Sequence, residues 1–299
     1  MRTPYDRTLI ECVPNFSEGR DPGVVAEIAR AIAQVAGVAL LGYESDHDHH
    51  RSVVTFAGEA EAVLEGAIRG VGKAAELVDL REHAGVHPRV GAADVVPFIP
   101  LAGAKLADGV ACAHRAGAEI WRRFGIPVYF YEAAALQPGR KRLEKVRRIG
   151  FDGMPPDIGG VAEHPAAGAA VVGARNFLIA YNINLATPDA AVAKAIAVKI
   201  RESTGGFPFV KAMGLYLKTP DCAQVSMNLT NFAEIPLDAL YDTVRREAQR
   251  LGTSIAESEL IGFIPQAAYE KAPAFFRRAR GFDDSRIIEN RIAQLLRSR

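Results

Sequence analysis

The chain has 299 residues, of which 49% are hydrophobic and 24% are charged, and its formal net charge is +1. These values are typical of a packed globular protein and exclude a disordered chain. The near-balance of 36 basic and 35 acidic residues argues against a nucleic-acid partner, because a broad nucleic-acid surface needs a sustained basic field.

The cysteine pattern and the hydropathy pattern both bear on where the protein works. Cys12, Cys112 and Cys222 are far apart and odd in number, which favours buried thiols in a reducing compartment over a disulfide framework. No uncharged apolar stretch approaches the ~20 residues that a membrane span needs, and the N-terminus lacks the apolar segment of a signal peptide. We therefore expect a cytoplasmic protein without a membrane partner.

Hydrophobic patterning predicts a split βαβ order in the first part of the chain. Asp21-Pro22 begins the first helix, because Asp caps a helix N-terminus and Pro suits the first helical position. Gly37 ends it. The predicted elements are strand 9–13, helix 22–36, strands 38–43 and 52–56, helix 60–77, strand 95–101, helix 107–124 and strand 128–131.

A second unit with the same order follows an irregular connection at 138–160. Its predicted elements are strand 177–183, helix 189–202, strands 209–217 and 223–229, helix 237–251, strand 254–257 and a final amphipathic helix 284–299. The sequence therefore predicts an α+β fold of two ferredoxin-like (βαββαβ) subdomains. We place their boundary near residue 178, between domains 1–178 and 179–299.

Residues 81–92 form a predicted loop that contains two histidines, His83 and His87. Gly85 and Pro88 disfavour a regular helix here, which weakens a metal site built from the two histidines. A histidine can move protons near neutral pH, and Arg89 can bind a carboxylate bidentately. Spacing alone leaves both histidines open as candidates, beside the alternative of a polar loop without a catalytic role.

Residues 44–51, between two predicted strands, are dense in acids and histidines. Aspartate and histidine together can suit zinc or manganese. However, alternating residues of an extended chain point to opposite faces, so these side chains cannot all converge on one ion. A solvated polar turn is the favoured interpretation.

Two further segments are candidates for ligand contact. Residues 158–168, continuing to 173–176, are rich in glycine, which lets backbone approach a ligand closely, although a flexible linker explains them equally well. They contain neither a dinucleotide-binding fingerprint nor a P-loop. The turn 13–20 precedes a helix and is either an anion site at the helix N-terminus or a plain turn, which is the commoner case.

Six stretches together resemble the formiminotransferase domain of glutamate formiminotransferases. Their order and spacing agree with that family from about residue 8 to about residue 265, and several independent stretches matching at once make the resemblance specific. The matching stretches are 11–19, 51–56, 87–92, 94–100, 173–185 and 224–229.

The resemblance implies two ferredoxin-like subdomains with a ligand cleft between them. It also implies transfer of the formimino group from N-formimino-L-glutamate to tetrahydrofolate, a step of histidine breakdown and one-carbon metabolism. The catalytic histidine of the family falls on His87, and its acidic position falls on Glu44. The folate-contacting loop falls on Gly159, Gly160, Val161, Ala162, Glu163, His164, Pro165, Ala166, Ala167 and Gly168.

Since both substrates are anionic, we expect the carboxylates to be bound by Arg51, Arg89 and Arg175, with Asn15 as a further substrate contact. Tetrahydrofolate is expected as a co-substrate, no metal is expected, and relatives commonly form homodimers. Two alternatives stay open. One is a folate-binding protein that has lost turnover, and the other is a metal-dependent hydrolase that uses Asp46, His47, Asp48 and His49.

Overall fold

The computed structural model describes residues 8–47, 50–82, 89–143, 145–147, 153–160, 162–217 and 221–297. The chain divides into two compact units, which separate between residues 175 and 176. Each unit has its own β-sheet with helices, so the α+β prediction is confirmed. Among the helices within the described ranges, none is long and apolar enough to cross a membrane.

The first unit has a mixed sheet in the order β3-β4-β1-β5-β7-β6, with β2 extending β1 between β4 and β5. Strands β3, β4, β1 and β5 pair antiparallel, whereas β5, β7 and β6 pair parallel. Its elements are β1 Leu9–Cys12, β2 Asn15–Phe16, α1 Pro22–Ala33, β3 Ala39–Asp46, β4 Arg51–Glu59, α2 Ala60–Leu77, β5 Ala93–Pro100, α3 Leu106–Phe124, β6 Val128–Glu132 and β7 Ala170–Ala174.

Helices α1, α2 and α3 pack on one face of the sheet. Along β4, Val54 and Phe56 are fully buried, whereas Val53 and Thr55 are only half-buried. Successive residues of a strand point to opposite faces, and Val54 and Phe56 join the residues of α1, α2 and α3 in one apolar core. The opposite face carries polar side chains at β2 and β4. Over β5, β7 and β6 it is covered by a second, smaller apolar cluster of Val95, Tyr129, Tyr131, Val146, Ala169 and Val171.

The second unit has a four-stranded antiparallel sheet in the order β11-β8-β10-β9. Helix α4 packs so closely on β9 that a Cβ at Gly214 would lie 2.1 Å from the backbone nitrogen of Lys194. Its elements are β8 Ile179–Leu185, α4 Ala190–Ile200, β9 Val210–Leu217, β10 Cys222–Leu229, α5 Leu237–Arg250, β11 Ile255–Ile261, α6 Gln266–Lys271, α7 Pro273–Arg277 and, at the end of the chain, α8 Ile288–Arg297.

The glycine-rich stretch 158–176 is not a linker throughout. Residues 170–174 form β7, a fully buried strand that pairs in parallel with β5 on one side and β6 on the other. Gly173 allows the close approach to β6, since a Cβ there would lie 2.4 Å from Tyr131. The interpretation as a flexible linker is wrong for this part of the segment.

The last helix begins later than the sequence predicts. Asp283 accepts a hydrogen bond from the Ser285 backbone and caps a short 3-10 turn at 284–286. Helix α8 then begins at Ile288. The polar run 283–286 thus forms a separate capped turn and does not extend the amphipathic helix.

Candidate functional site

The face of the first sheet opposite the helices brings together three of the predicted site residues. Asn15 and Glu44 are both paired directly with Val53, and Arg51 lies two residues from Val53 on the same strand. Paired residues, and residues two apart on a strand, point to the same face. Glu44, Asn15 and Arg51 therefore share this face, with the Glu44 side chain exposed.

Arg51 is held in a fixed orientation by two neighbours. Its Nε and Nη2 donate to Asn15 Oδ1 at 3.0 and 2.8 Å, and its Nη1 donates to Asp94 Oδ2 at 2.9 Å. Asn15 is fixed in turn, because its Nδ2 donates to the carbonyl of Val13 at 2.9 Å. Hydrogen bonds to two acceptors in different directions orient the planar guanidinium.

Asp94 is a completely buried carboxylate at the start of β5. Its Oδ2 also accepts from Arg147 Nη2 at 2.6 Å, and its Oδ1 accepts from the backbone N–H of Val90 at 2.8 Å. We call Asp94, Arg51, Arg147 and Asn15 the Asp94 cluster. A single carboxylate here faces two guanidiniums, which leaves the cluster with a net positive charge.

Sequence reasoning missed Asp94 and Arg147 as site residues. The available signal was that Asp94 is the only charged residue in the otherwise apolar run 93–100. A charged group in a buried strand has to be paired. Arg147 gave no comparable signal, since it lies in a generally basic segment.

Arg89 and Arg175 differ in their surroundings. Burial lowers the pKa of Arg89, whereas Asp94 acts in the opposite direction. Burial likewise lowers the pKa of Arg51, and the negative charge of Asp94 acts to raise it. The guanidiniums of Arg89 and Arg51 both stay charged at neutral pH. Arg175 directly follows β7 and lies near Tyr131. Burial raises the pKa of Tyr131 to about 12, and the positive charge of Arg175 acts to lower it.

The predicted folate loop ends in a turn that is closed by hydrogen bonds. His164 and Gly168 exchange two backbone hydrogen bonds of 3.0 and 2.9 Å, and His164 Nδ1 accepts from the backbone N–H groups of Ala166 and Ala167 at 3.3 and 2.9 Å. Ala167 and Gly168 are buried, whereas Glu163 and Pro165 are exposed. Only part of the predicted loop therefore faces solvent.

This turn is attached to the segment that leads into the Asp94 cluster. The N–H of Ala92 donates to the carbonyl of Ala167 at 2.9 Å, and the N–H of Ala169 donates to the carbonyl of Val90 at 2.8 Å. A Cβ at Gly91 would lie 1.7 Å from the carbonyl oxygen of Ala169, so the two chains touch at backbone distance. Backbone hydrogen bonds thus hold residues 164–168 directly against residues 89–94.

The start of the loop is anchored on β6. Ile158 exchanges backbone hydrogen bonds of 2.9 and 3.1 Å with Val128. Asp157 accepts from the N–H of Phe130 at 2.7 Å and forms a buried ion pair with Arg140 at 2.5 Å. Gly159, Gly160, Ala162 and Glu163 then follow with exposed surfaces, and Val161 lies outside the described residues.

His87 and His83, the two histidine candidates, also lie outside the described residues. The same holds for Asp48 and His49 of the metal-binding alternative. Within the ranges that the structure does describe, no group of three His, Cys, Asp or Glu side chains is placed to hold a metal ion.

In the segment 13–20, the turn between β2 and α1 has backbone donors that are paired within the protein, which favours a plain turn over an anion site. The N–H of Gly19 donates to His50 Nδ1 at 3.1 Å, and the N–H groups of Arg20 and Asp21 donate to Glu18 Oε1 at 2.7 and 2.9 Å. Asp21 caps the first N–H groups of α1. The donors that an anion would need are therefore already paired with side chains of the protein.

His50 occupies an unusual backbone conformation in this arrangement. Its φ of 50° lies in the left-handed region, which histidine and asparagine enter more readily than most residues. Burial lowers its pKa from the ordinary value of 6.5, and Glu18, with its Oε1 3.4 Å from Nδ1, opposes that effect. His50 is therefore a neutral hydrogen-bond acceptor at neutral pH.

The second unit carries a separate row of polar side chains. Gln224 Nε2 donates to Asn184 Oδ1 at 2.8 Å, and Asn184 Nδ2 donates to Glu257 Oε1 at 3.0 Å. Glu257 Oε2 lies 3.1 Å from Arg280 Nη1. Asn184, Glu257 and Arg280 line a cavity of about 530 Å³, a volume within the usual range for small-molecule sites.

The fold and the Asp94 cluster define an α+β protein with a positively charged cluster on one face of its first sheet. The chain belongs to the formiminotransferase family. The family model for the N-terminal subdomain of the formiminotransferase domain matches residues 9–175. A second family model, described as the formiminotransferase domain, matches residues 180–296.

Curated relatives match the chain over nearly its full length. A glutamate formimidoyltransferase of Thermoplasma acidophilum is 41% identical over 296 residues, covering 95% of this chain and 97% of the relative. A protein of the same name from Streptococcus pyogenes serotype M1 is 38% identical, covering 95% of this chain and 98% of the relative. The formimidoyltransferase-cyclodeaminase of Rattus norvegicus is 40% identical over 90% of this chain and 52% of its own length.

Proposed function

We propose that the chain is a glutamate formimidoyltransferase that moves the formimino group from N-formimino-L-glutamate to tetrahydrofolate and releases glutamate. The observation that carries this proposal is the 38–41% identity to two enzymes of that name, along almost the whole of each chain. The positively charged Asp94 cluster supports it, because both substrates are carboxylates.

One group that accepts a proton and then returns it can serve both steps of this reaction. N5 of the folate attacks the amidine carbon, and the resulting tetrahedral intermediate collapses when the bond from carbon to the glutamate nitrogen breaks. The proton lost by N5 has to reach that nitrogen, and we assign this transfer to His87 as general base and then general acid. Glu44 is assigned to orient the imidazole or to stabilise its cation.

We assign the donor carboxylates to Arg51, Arg89 and Arg175. The fixed orientation of Arg51 supports this role, since a preorganised guanidinium loses little side-chain entropy on binding. Asn15 is assigned to position Arg51, because its Oδ1 already accepts two hydrogen bonds from that side chain.

We assign tetrahydrofolate, as co-substrate, to the loop from Gly159 to Gly168. The exposed surfaces of Gly159, Gly160 and Glu163 support this assignment, since glycine lets a flat ring system approach the backbone closely. Ala167 and Gly168 are buried, so they contribute through the shape of the turn.

Both units are proposed to be ferredoxin-like, with the domain boundary near residue 178. In each, four strands and two helices follow one another as βαββαβ: β1-α1-β3-β4-α2-β5 in the first unit and β8-α4-β9-β10-α5-β11 in the second. The strand orders β5-β1-β4-β3 and β11-β8-β10-β9 correspond position by position. Strands β6 and β7 extend the first sheet beyond this pattern.

We further propose a homodimer that works in the cytoplasm. Cys12, Cys112 and Cys222 are free and buried, which suits a reducing compartment. Sedimentation or light scattering of the purified protein tests the dimer directly.

The function is tested by offering the purified protein N-formimino- and N-formyl-L-glutamate, each with and without tetrahydrofolate. We expect glutamate release from the formimino donor only, and only when folate is present. Release without folate supports the alternative of a hydrolase, which a chelator then tests for metal dependence. Folate binding without any release supports the alternative of a binding protein.

A further inference from the structure

Arg147 is almost buried, and one of its donors is unused. Its side chain is 13% exposed, and its Nη2 donates to Asp94 Oδ2 at 2.6 Å. Its Nε–H is buried and has no hydrogen-bond partner within the described part of the chain. A buried donor without an acceptor is costly, which makes such a group a pointer to a bound partner.

The charges around Arg147 specify what that partner is. Arg51 Nη1 and Arg147 Nη2 meet on the same oxygen of Asp94, and the charge of Arg147 lowers the pKa of Arg51, which is the mark of repulsion between them. Arg89 also lies within electrostatic reach of Asp94 and Arg51. A second anion at this point would relieve that repulsion and accept the Nε–H.

We propose that Arg147 binds a carboxylate of the glutamate-based donor through its Nε–H, while Asp94 holds the guanidinium in place. This inference rests on the proposed function and adds to it a specificity-determining residue. A carboxylate fits on three grounds: it is an acceptor, it carries the missing negative charge, and a charge-assisted hydrogen bond of this kind is stronger than a neutral one.

Arg147→Gln tests the proposal without leaving Asp94 unpaired, because Arg51 still donates to the same carboxylate. Arg147→Lys is the second variant, since it keeps the positive charge and removes the Nε–H. The control is Lys145→Gln, which removes a positive charge from an exposed position two residues away. Unfolding temperatures measured in parallel show whether each variant is folded.

The donors for this test are N-formimino-L-glutamate and its two mono-amides, one with the α-carboxylate and one with the side-chain carboxylate converted to carboxamide. We expect Arg147→Gln to raise the KM for the natural donor by about 10- to 100-fold, the range for one charge-assisted hydrogen bond. The KM for tetrahydrofolate should stay unchanged. With the amide donor that lacks the bound carboxylate, wild type and variant should become equal.

Arg147→Lys should retain most of the defect, and Lys145→Gln should behave as wild type. An unchanged donor KM in Arg147→Gln overturns the inference, as does an equal penalty on all three donors, which indicates a purely structural role. Wild-type transfer from N-formimino-L-glutamate separates these outcomes from failure of the proposed function: if the wild type does not use that donor, both proposals fall.

Discussion

Asp94 balances the guanidiniums of Arg51 and Arg147, which are mostly buried, so its charge should matter for the stability of the first unit. In Asp94→Asn, Oδ1 can still accept the Val90 N–H, but Arg51 and Arg147 lose their shared counter-charge. We expect the free energy of unfolding to fall by about 3–5 kcal/mol, the usual cost of breaking a buried ion pair. Urea unfolding measures this value.

The double variant Asp94→Asn with Arg147→Gln provides the internal control. Removing one guanidinium should recover part of the lost stability, because less positive charge then lies unpaired. A loss below about 1 kcal/mol in the single variant would show that solvent, and not Asp94, compensates these arginines.

His50 predicts a dependence of stability on pH. Burial lowers its pKa below 6.5 in the folded protein, so the unfolded chain takes up the proton first as the pH falls. The stabilisation from neutral His50 is therefore complete above about 6.5 and is lost as the pH falls towards the lower, folded pKa. We expect this loss in the wild type.

His50→Asn isolates that contribution, because asparagine tolerates the left-handed backbone and does not titrate. The stability difference between wild type and variant should shrink between pH 8 and pH 5, as measured by chemical unfolding at each pH. A constant difference would mean that burial and Glu18 cancel, and a difference that widens on acidification would mean that Glu18 dominates; either result would contradict the predicted pH dependence.

Elements differed in how far the sequence predicted them. Helix α2 was predicted with its observed bounds, Ala60–Leu77, because its apolar residues recur at helical spacing. Strand β7 was missed, because a short run of small apolar residues beside glycines has no periodicity of its own. It becomes a strand only by pairing with β5 and β6, which are distant in the chain.

The same limit applies to the site. Glu44, Asn15 and Arg51 were expected as site residues from the sequence, and strand register puts them on one face. The Asp94 cluster could not be read from spacing, because Asp94 is 43 residues from Arg51 and 53 from Arg147. Contacts between residues so far apart in the sequence are set by the topology of the sheet.

The junction between residues 89–94 and 164–168 should tolerate no side chain at Gly91. In Gly91→Ala the new Cβ would overlap the carbonyl of Ala169, so the turn at 164–168 has to move. We expect the free energy of unfolding to fall by about 1–3 kcal/mol, as for overpacked sites, and the KM for tetrahydrofolate to rise. Chemical unfolding and steady-state kinetics check both effects.

Gly160→Ala is the matched control for stability, since nothing lies within 4 Å of a Cβ at that position. Its free energy of unfolding should stay within about 0.5 kcal/mol of the wild type. If Gly91→Ala is equally harmless, the close approach of the two segments is not part of the folded protein.

For the molecule as a whole, the net charge of +1 conceals a local arrangement that suits anionic substrates. The Asp94 cluster carries a net positive charge on the sheet face that also carries Glu44. Both units take part in the family match, through residues 9–175 and 180–296. We therefore propose that the whole chain is a transferase that uses folate as acceptor and His87 as the proton-transfer group.

A single-turnover reaction with N-formimino-L-glutamate labelled with ¹³C in the formimino carbon tests this account most directly. We predict that the wild type moves the label to N5 of tetrahydrofolate and releases one glutamate per transfer. His87→Ala should be slower by about 10²–10⁴-fold, and His83→Ala should remain near the wild-type rate. Label recovered in formamide without folate, or an undiminished rate in His87→Ala, would contradict the account.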